Sequence, residues 1–399
     1  MQSVCVVGLG FVGEHLVDSF AQSNLYNDYG FDISPKRIEH MKKTYINCVF
    51  TCNENDLVNC DLFCISVPTL LNVEKNDIDS GPILKVKEML DRVAKKNSAV
   101  VIESSVYVGA TRKLFSSLLA NDIYVGFSPE RVDPGRITPL HTEIPKVVSG
   151  LNDVSLDKIV DCYSKVFKYV VSVSSTECAE MCKLYENCFR MVNIAYVNEI
   201  SDLCKDYKID PYEMINASKT KPFGFMAFYP GLGVGGHCIP VNPYYLAKGD
   251  FSKLPILHRS VQIMENRPKI KSNEIVDNSI KQNILVIGLA FKPGETLTTN
   301  SPSIGMVKEF VNNGHKVQVY DPLVYRSNAN LDIFNKDRNL FSFWNLLNKK
   351  QNVNWLLESD FTKTKMYSFD KIIITMKQYN INWGVLKDID QTKIYSFVD

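Results

Sequence analysis

Residues Ser3–Gly13 read SVCVVGLGFVG, and the rest of the chain takes its meaning from them. Val4–Val7 is a strand-type run, and it leads directly into Gly8, Gly10 and Gly13 at GxGxxG spacing. In a strand-to-helix turn the first glycine permits the tight turn. The second lets backbone approach a pyrophosphate, and the third lets the helix pack on the strand. Phe11 and Val12 would open that helix, whose amide N–H groups and positive end favour a phosphate. Asp32 follows 19 residues after Gly13. A carboxylate there accepts hydrogen bonds from ribose hydroxyls and repels a 2′-phosphate. The spacing predicts an NAD site on Gly8, Gly10, Phe11, Val12, Gly13 and Asp32. The bland alternative is a structural turn with Asp32 at the surface.

Working outward, strand candidates Ser3–Val7, Leu62–Val67, Ala99–Glu103, Ile123–Phe127 and Lys146–Ser149 alternate with helix-period segments Val12–Ala21 and Ile83–Lys95. That alternation predicts an α/β domain around a doubly wound parallel sheet. A second strand–helix–strand unit opens at Lys281–Gly288 and His315–Asp321, with a later strand at Ile372–Thr375. Between the halves, Thr176 to about Tyr207 runs without Pro or Gly. At 1.5 Å per residue this predicts a helix about 45 Å long. Met181, Leu184, Cys188, Met191, Ala195 and Leu203 place apolar groups on most of its faces. The expected arrangement is two Rossmann-like doubly wound domains joined by a long central helix. It divides as a dinucleotide domain over 1–175, a central helical region over 176–270 and a C-terminal domain over 271–399.

The 399 residues carry 45 Lys+Arg against 44 Asp+Glu, a net charge of +1. No long-range field gathers polyanions, which argues against nucleic acid and membrane surfaces as partners. The 11 cysteines are odd in number and scattered through apolar runs, and no CxxC pair or nearby His completes a zinc set. Most are expected to be buried thiols in a reducing compartment, with no metal site. The opening MQSVCVVGLG lacks a basic leader and no apolar run reaches about 18 residues. A cytoplasmic protein is expected.

Three further features carry chemistry. Lys183, Glu186, Asn187 and Arg190 fall within roughly 100° of one another on the central helix. They form either an internal salt-bridge ladder or a ligand-facing stripe. The loop Tyr229–Pro243, YPGLGVGGHCIPVNP, sets Cys238 behind Gly233, Gly235, Gly236 and His237. It holds either a buried structural thiol or an uncrowded nucleophile. Gly126–Arg136, GFSPERVDPGR, puts Glu130 at the carboxyl end of a strand, where open parallel sheets bind ligands. An ion pair of Glu130 with Arg131 or Arg136 is the plainer reading.

Together with CISVPT (Cys64–Thr69), ESSVYVG (Glu103–Gly109), KLYENCFRMVNIAYVNE, IGLAFKP and VYDP, these pieces occur in a fixed order. In that order the sequence resembles the UDP-glucose/GDP-mannose dehydrogenase family over essentially its whole length. The resemblance implies a four-electron oxidation of carbon six of a nucleotide sugar with two NAD. It implies that Cys238 is the nucleophile, that Glu130 is the base for the hydrolytic water, and that Lys183 and Asn187 stabilise an oxyanion. Asn242 falls where the family usually has a catalytic Asp. Val67, Pro68, Thr69 and Ser105 resemble the rim of the NAD site. Arg131, Arg190, Tyr229, Gly233, Gly235, Gly236, Phe291 and Lys292 fall at substrate-facing positions. A homodimer through the central helix is also implied. The SPER form at Ser128–Arg131, with IPKVVSG after it, resembles the branch acting on UDP-N-acetylhexosamines, UDP-N-acetylglucosamine first. The alternatives are UDP-glucose or GDP-mannose as substrate, or a catalytically weakened nucleotide-sugar-binding protein. Besides Asn242, the family pattern is broken at Thr299-Asn300, where an Arg and a Glu are usual. The family also commonly continues through a Gly-Arg-Asn past the point where this sequence reads Phe397-Val398-Asp399.

Overall fold

A computed structural model describes residues 2–72, 77–132, 138–329 and 353–398. The chain divides into two compact units, Met1–Glu186 with Tyr244–Asp250, and Asn187–Pro243 with Phe251–Asp399.

The first unit opens on β1 (Gln2–Val7), α1 (Phe11–Ser23), β2 (Tyr26–Phe31), α2 (Pro35–Thr44), β3 (Val49–Thr51) and β4 (Leu62–Ile65). A small hairpin, β5 (Leu70–Asn72) and β6 (Asp77–Asp79), precedes α3 (Gly81–Val93), β7 (Ala99–Ile102) and α4 (Ala110–Phe115). Then come β8 (Tyr124–Phe127), β9 (Lys146–Gly150), α5 (Asp153–Tyr163) and β10 (Val170–Ser172). The sheet order is β10-β9-β8-β7-β4-β1-β2-β3. The strands from β3 to β8 are parallel, but β9 pairs antiparallel with β8, and β10 is parallel to β9. The expected all-parallel sheet therefore gains a reversed two-strand edge. Among its described residues the connection from β8 to β9 carries no α-helix, the usual crossover element of a parallel pair.

Strand alternation divides the core. Cys5, Val7, Phe63, Ile65 and Ile102 face Ile83, Leu90 and Phe115. Val4, Val6, Leu62, Cys64 and Val101 face Leu16, Phe20 and Tyr163 on the opposite side. With helices on both faces, the strands read as continuous apolar runs. The strand β2 (YNDYGF) carries no β-branched residue, and sequence pattern passed over it. Its place beside β1 is set by register, from Gln2 opposite Tyr26 to Val7 opposite Phe31.

The helix α6 (Thr176–Asp206) is one unbroken element of 31 residues. The second unit then contains α7 (Pro211–Lys219), the short α8 (Asn242–Ala247) begins at its edge, and α9 (Pro255–Ile275) follows. After β11 (Asn283–Ile287) come α10 (Pro302–Asn312), β12 (Lys316–Tyr320) and α11 (Pro322–Ala329), then β13 (Val353–Trp355), β14 (Lys371–Ile374) and β15 (Ile394–Ser396). All five strands are parallel in the order β13-β12-β11-β14-β15. Among the described residues no helix is long and apolar enough to cross a membrane.

Apolar on most faces, α6 has one apolar face buried and another exposed within the single chain. Leu184, Cys188, Met191 and Ala195 are buried. Met181, Tyr185, Phe189, Tyr196 and Leu203 are 39–67% exposed. At 100° per residue these five fall within an arc of roughly 80°.

Candidate active site

In the first unit the glycine turn has the form its spacing predicts. Gly8 takes a φ of +89°, and a Cβ there would lie 2.9 Å from the backbone nitrogen of Val67. A Cβ on Gly13 would sit 1.9 Å from the Gly8 carbonyl oxygen, so only glycine lets α1 lie this close to β1. A Cβ on Gly10 would meet nothing within 4 Å, so the turn is open on the side where backbone would receive a phosphate. Asp32 holds the turn from below, accepting from Leu9 N at 2.8 Å and, through its other oxygen, from Ser34 N at 2.8 Å. Its remaining lone pairs suit ribose hydroxyls. Phe11 is 48% exposed at the start of α1, and Val12 packs partly into the core. The turn, the open side at Gly10 and the carboxylate fit NAD.

The neighbouring strand ends are sewn to this turn. Ser66 Oγ donates to Gly8 O at 2.6 Å, Ser104 Oγ to Val67 O at 2.6 Å, and Thr69 Oγ1 to Ser105 O at 2.6 Å. The residues expected at the rim, Val67, Pro68, Thr69 and Ser105, thus gather at the carboxyl edge of the sheet. Sequence pattern missed Arg37 on α2, which donates to Leu9 O at 2.5 Å and pairs with Glu14.

Glu130 follows β8 and is 5% exposed. Its Oε1 accepts from the backbone N–H groups of Arg131 (2.6 Å) and Val132 (2.5 Å). Its Oε2 faces His141 Nε2 at 3.1 Å and Lys146 Nζ at 3.7 Å. Burial opposes the charge, but Lys146, His141 and Lys183 outweigh it and hold the carboxyl well below the usual range. Lys183 donates from α6 to the Glu130 backbone carbonyl. The expected pairing of Glu130 with Arg131 is absent. The Arg131 guanidinium turns instead to Glu186 (2.7 Å) and Pro145 O (2.9 Å). Arg136 lies outside the described residues.

In the second unit Cys238 is exposed, against the plainer expectation of a buried thiol. Its carbonyl accepts from Val241 N (3.2 Å) and Asn242 N (3.0 Å), so the cysteine heads the turn that starts α8. Asn242 is 2% exposed, and its Oδ1 accepts from the side-chain amide of Asn187, itself 7% exposed. Where the family usually has a carboxylate, this chain thus keeps an acceptor for Asn187 without its charge. The polar stripe of α6 is no internal ladder: Lys183, Glu186 and Asn187 all reach partners beyond the helix, and Arg190 is exposed.

The glycine loop is held against the strand-end loop after β11. Gly236 N donates to Thr299 O at 2.8 Å, and Asn300 Nδ2 donates back to Gly236 O at 3.0 Å. A Cβ on Gly235 would lie 2.7 Å from Phe291 Cβ, one on Gly236 3.0 Å from the Phe291 ring, and one on Gly233 3.0 Å from Pro302. At this departure the Asn300 side chain holds the cysteine loop, while Thr299 contributes only its backbone carbonyl. Lys292 sits next to Phe291 and is half-buried. Tyr229, 45% exposed, stacks on Tyr212 and donates to Asn216 Oδ1 at 3.2 Å. Gly231 N donates to the buried Asn198 at 3.0 Å, and the Gly231 carbonyl accepts from Arg267 at 3.0 Å.

Sequence profiles of the UDP-glucose/GDP-mannose dehydrogenase family match the chain in three places. The NAD binding domain matches residues 47–171, the central domain 177–261 and the UDP binding domain 285–389. Protein CapL of Staphylococcus aureus is 34% identical over 354 residues, covering 80% of this chain and 82% of that protein. The UDP-N-acetyl-D-glucosamine 6-dehydrogenase of Pseudomonas aeruginosa is 32% identical over 363 residues, covering 82% and 84%. Among solved structures, a UDP-D-ManNAc dehydrogenase from Pyrococcus horikoshii superimposes with a TM-score of 0.81 at 26% identity, covering 99% of this chain and 94% of that one.

Proposed function

We propose, from the premise that the chain belongs to the UDP-glucose/GDP-mannose dehydrogenase family, that this NAD-dependent enzyme oxidises carbon six of a UDP-N-acetylhexosamine to the carboxylate. UDP-N-acetylglucosamine is the first choice and the manno epimer the second. The substrate class is supported by the SPER form of Ser128–Arg131 and by the activities for which relatives spanning four-fifths or more of the chain are named. The observation that carries the chemistry is the exposed Cys238 at the head of a turn whose next residues position the Asn187–Asn242 amide pair.

NAD, when bound at the Gly8–Gly13 turn, supplies the hydride acceptor for each of the two oxidations. After the first oxidation the Cys238 sulfur adds to the aldehyde carbon, giving a thiohemiacetal. The second leaves a thioester on Cys238. Glu130 takes a proton from water, whose oxygen attacks the thioester carbon. The C–S bond then breaks, releasing the thiolate and the sugar carboxylate. Lys183, with donors beyond the one spent on Glu130 O, and Asn187 supply hydrogen bonds to the oxyanion at each tetrahedral stage.

Two copies are proposed to meet along the exposed stripe of α6, and the central-helix contact implied by the family resemblance supports this. The eleven free cysteines are consistent with the reducing, cytoplasmic setting expected from sequence. The test of substrate class is a panel of UDP-N-acetylglucosamine, its galacto and manno epimers, and UDP-glucose, compared by kcat/KM. An N-acetylated sugar is expected to lead by at least about tenfold. UDP-glucose in first place would overturn the assignment.

A further inference from the structure

The densest cluster of buried charge in the first unit lies behind Glu130, and the reaction sequence above leaves it without a role. Lys146 on β9 is 3% exposed, and Glu103 at the end of β7 is 1% exposed. The Lys146 ammonium lies 2.5 Å from Glu103 Oε2 and 3.7 Å from Glu130 Oε2. Tyr163 on α5 donates to the other Glu103 oxygen at 2.5 Å. One ammonium thus stands between two carboxylates, one of them locked from behind by a phenol.

A buried ion pair is weak support for stability, because well-packed apolar residues would serve the fold as well or better. The chain nonetheless places these charges where they touch a residue assigned to catalysis. The geometry has the form of a brace. Glu103 and Tyr163 fix Lys146, and Lys146 supplies the positive charge that Glu130 requires. On the far side His141 Nε2 donates to the same Oε2, because an ionised carboxylate offers only acceptors. The ring is held in turn by Ser19 Oγ, 2.6 Å from Nδ1, and by the edge of Phe167.

We propose that Lys146 is a positioning residue for Glu130, anchored by Glu103 so that its ammonium balances and orients the carboxylate that receives the water proton. This rests on the reading of Glu130 as the base. Among the described residues the charged groups facing the Glu130 side chain are Lys146 from β9 and His141 from the turn before it, while Lys183 from α6 reaches its carbonyl. Arg131 is occupied by Glu186, and His15 on α1 stands behind His141. Two backbone amides hold Oε1, while His141 and Lys146 face Oε2.

The test uses the intact enzyme with three variants. The double variant Glu103→Gln/Lys146→Met removes both buried charges together and leaves neither unpaired. It is expected to keep KM for both substrates within about twofold and to keep the first-turnover NADH burst. Its kcat should fall about tenfold or more at pH 7, and the acid limb of the kcat profile should rise by about one unit or more. Lys146→Arg, which keeps the charge, should stay within about threefold of the parent. Glu130→Gln separates the two layers of the proposal. If it turns over at the parental rate, the base assignment fails and the brace has nothing to act through. If it is inactive while the double variant keeps the parental kcat and acid limb, the brace proposal alone is overturned.

Discussion

At the scale of single residues, Gly13 and Cys238 are specified in different ways. Gly13 is dictated by sterics, since a methyl there would press to 1.9 Å from the Gly8 carbonyl. Gly13→Ala should weaken NAD binding by at least about tenfold, measured by calorimetry, and lower Tm by several degrees as the turn is pushed off α1. Cys238, the proposed nucleophile, has an exposed thiol that joins neither hydrophobic cluster of the second unit. Cys238→Ser should therefore leave Tm within about 2 °C and lower acid formation by at least about 10³-fold, read by mass spectrometry of the product. Asp28 on β2 gives a third, purely energetic case. Burial pushes its carboxyl up to about 6, and its Oδ1 has no hydrogen-bond partner among the described residues. The folded pKa lies above the unfolded value of about 3.9, so folding favours the protonated form. Stability should therefore fall between about pH 4 and pH 6 and stay lowered above that. Asp28→Asn should flatten this step and add about 1–2 kcal/mol at pH 7 in urea titrations, less than the full shift because the half-buried group still meets water. At this scale sequence was a good guide where a motif had fixed spacing, as in Gly8–Gly13. It was blind to Glu103, His141 and Lys146, which lie 38 and then 5 positions apart and are uninformative one by one. The available signal was a lysine inside the apolar run IPKVVSG and a glutamate closing AVVIE, two charges in strands that must be buried and hence must pair.

At the scale of elements, α6 carries most of the information. Its length was legible from the absence of Pro and Gly over about 30 residues. Its faces were not, because large aromatics at Tyr185, Phe189 and Tyr196 look like core until the structure leaves them exposed. An exposed apolar stripe on one helix is the kind of feature found at interfaces. The paired substitution Tyr185→Asp/Tyr196→Asp should convert the proposed dimer to monomer in sedimentation equilibrium without unfolding the chain. A parent that is already monomeric at micromolar concentration would remove the interface from the proposal. The reversed β9–β10 edge and the strand β2 were hidden for other reasons. Strand direction depends on the connection taken, and YNDYGF has neither alternation nor β-branching.

At the scale of the whole molecule, the two units repeat one local construction. Gly8 and Gly288 have φ of +89° and +91°, and each donates to the last residue of the adjacent strand, Phe31 or Tyr320. Leu9 N meets Asp32 at 2.8 Å as Leu289 N meets Asp321 at 2.8 Å, and Thr375 caps Gly288 as Ser66 caps Gly8. The copies diverge where a dinucleotide would need them. Gly10 and Gly13 become Ala290 and Pro293, and no helix starts at that turn. Asp321 is fully buried, spent on Leu289, Ala290 and Val324. Among the described residues the first unit alone retains the open glycine turn proposed for NAD, and the UDP binding domain profile falls on the second. The most direct measurement is the number of NADH formed per UDP-N-acetylglucosamine consumed, with the sugar product identified by mass. Two NADH and a uronic acid are expected. One NADH with an accumulating aldehyde, or no NADH with any UDP-sugar, would contradict the four-electron oxidation.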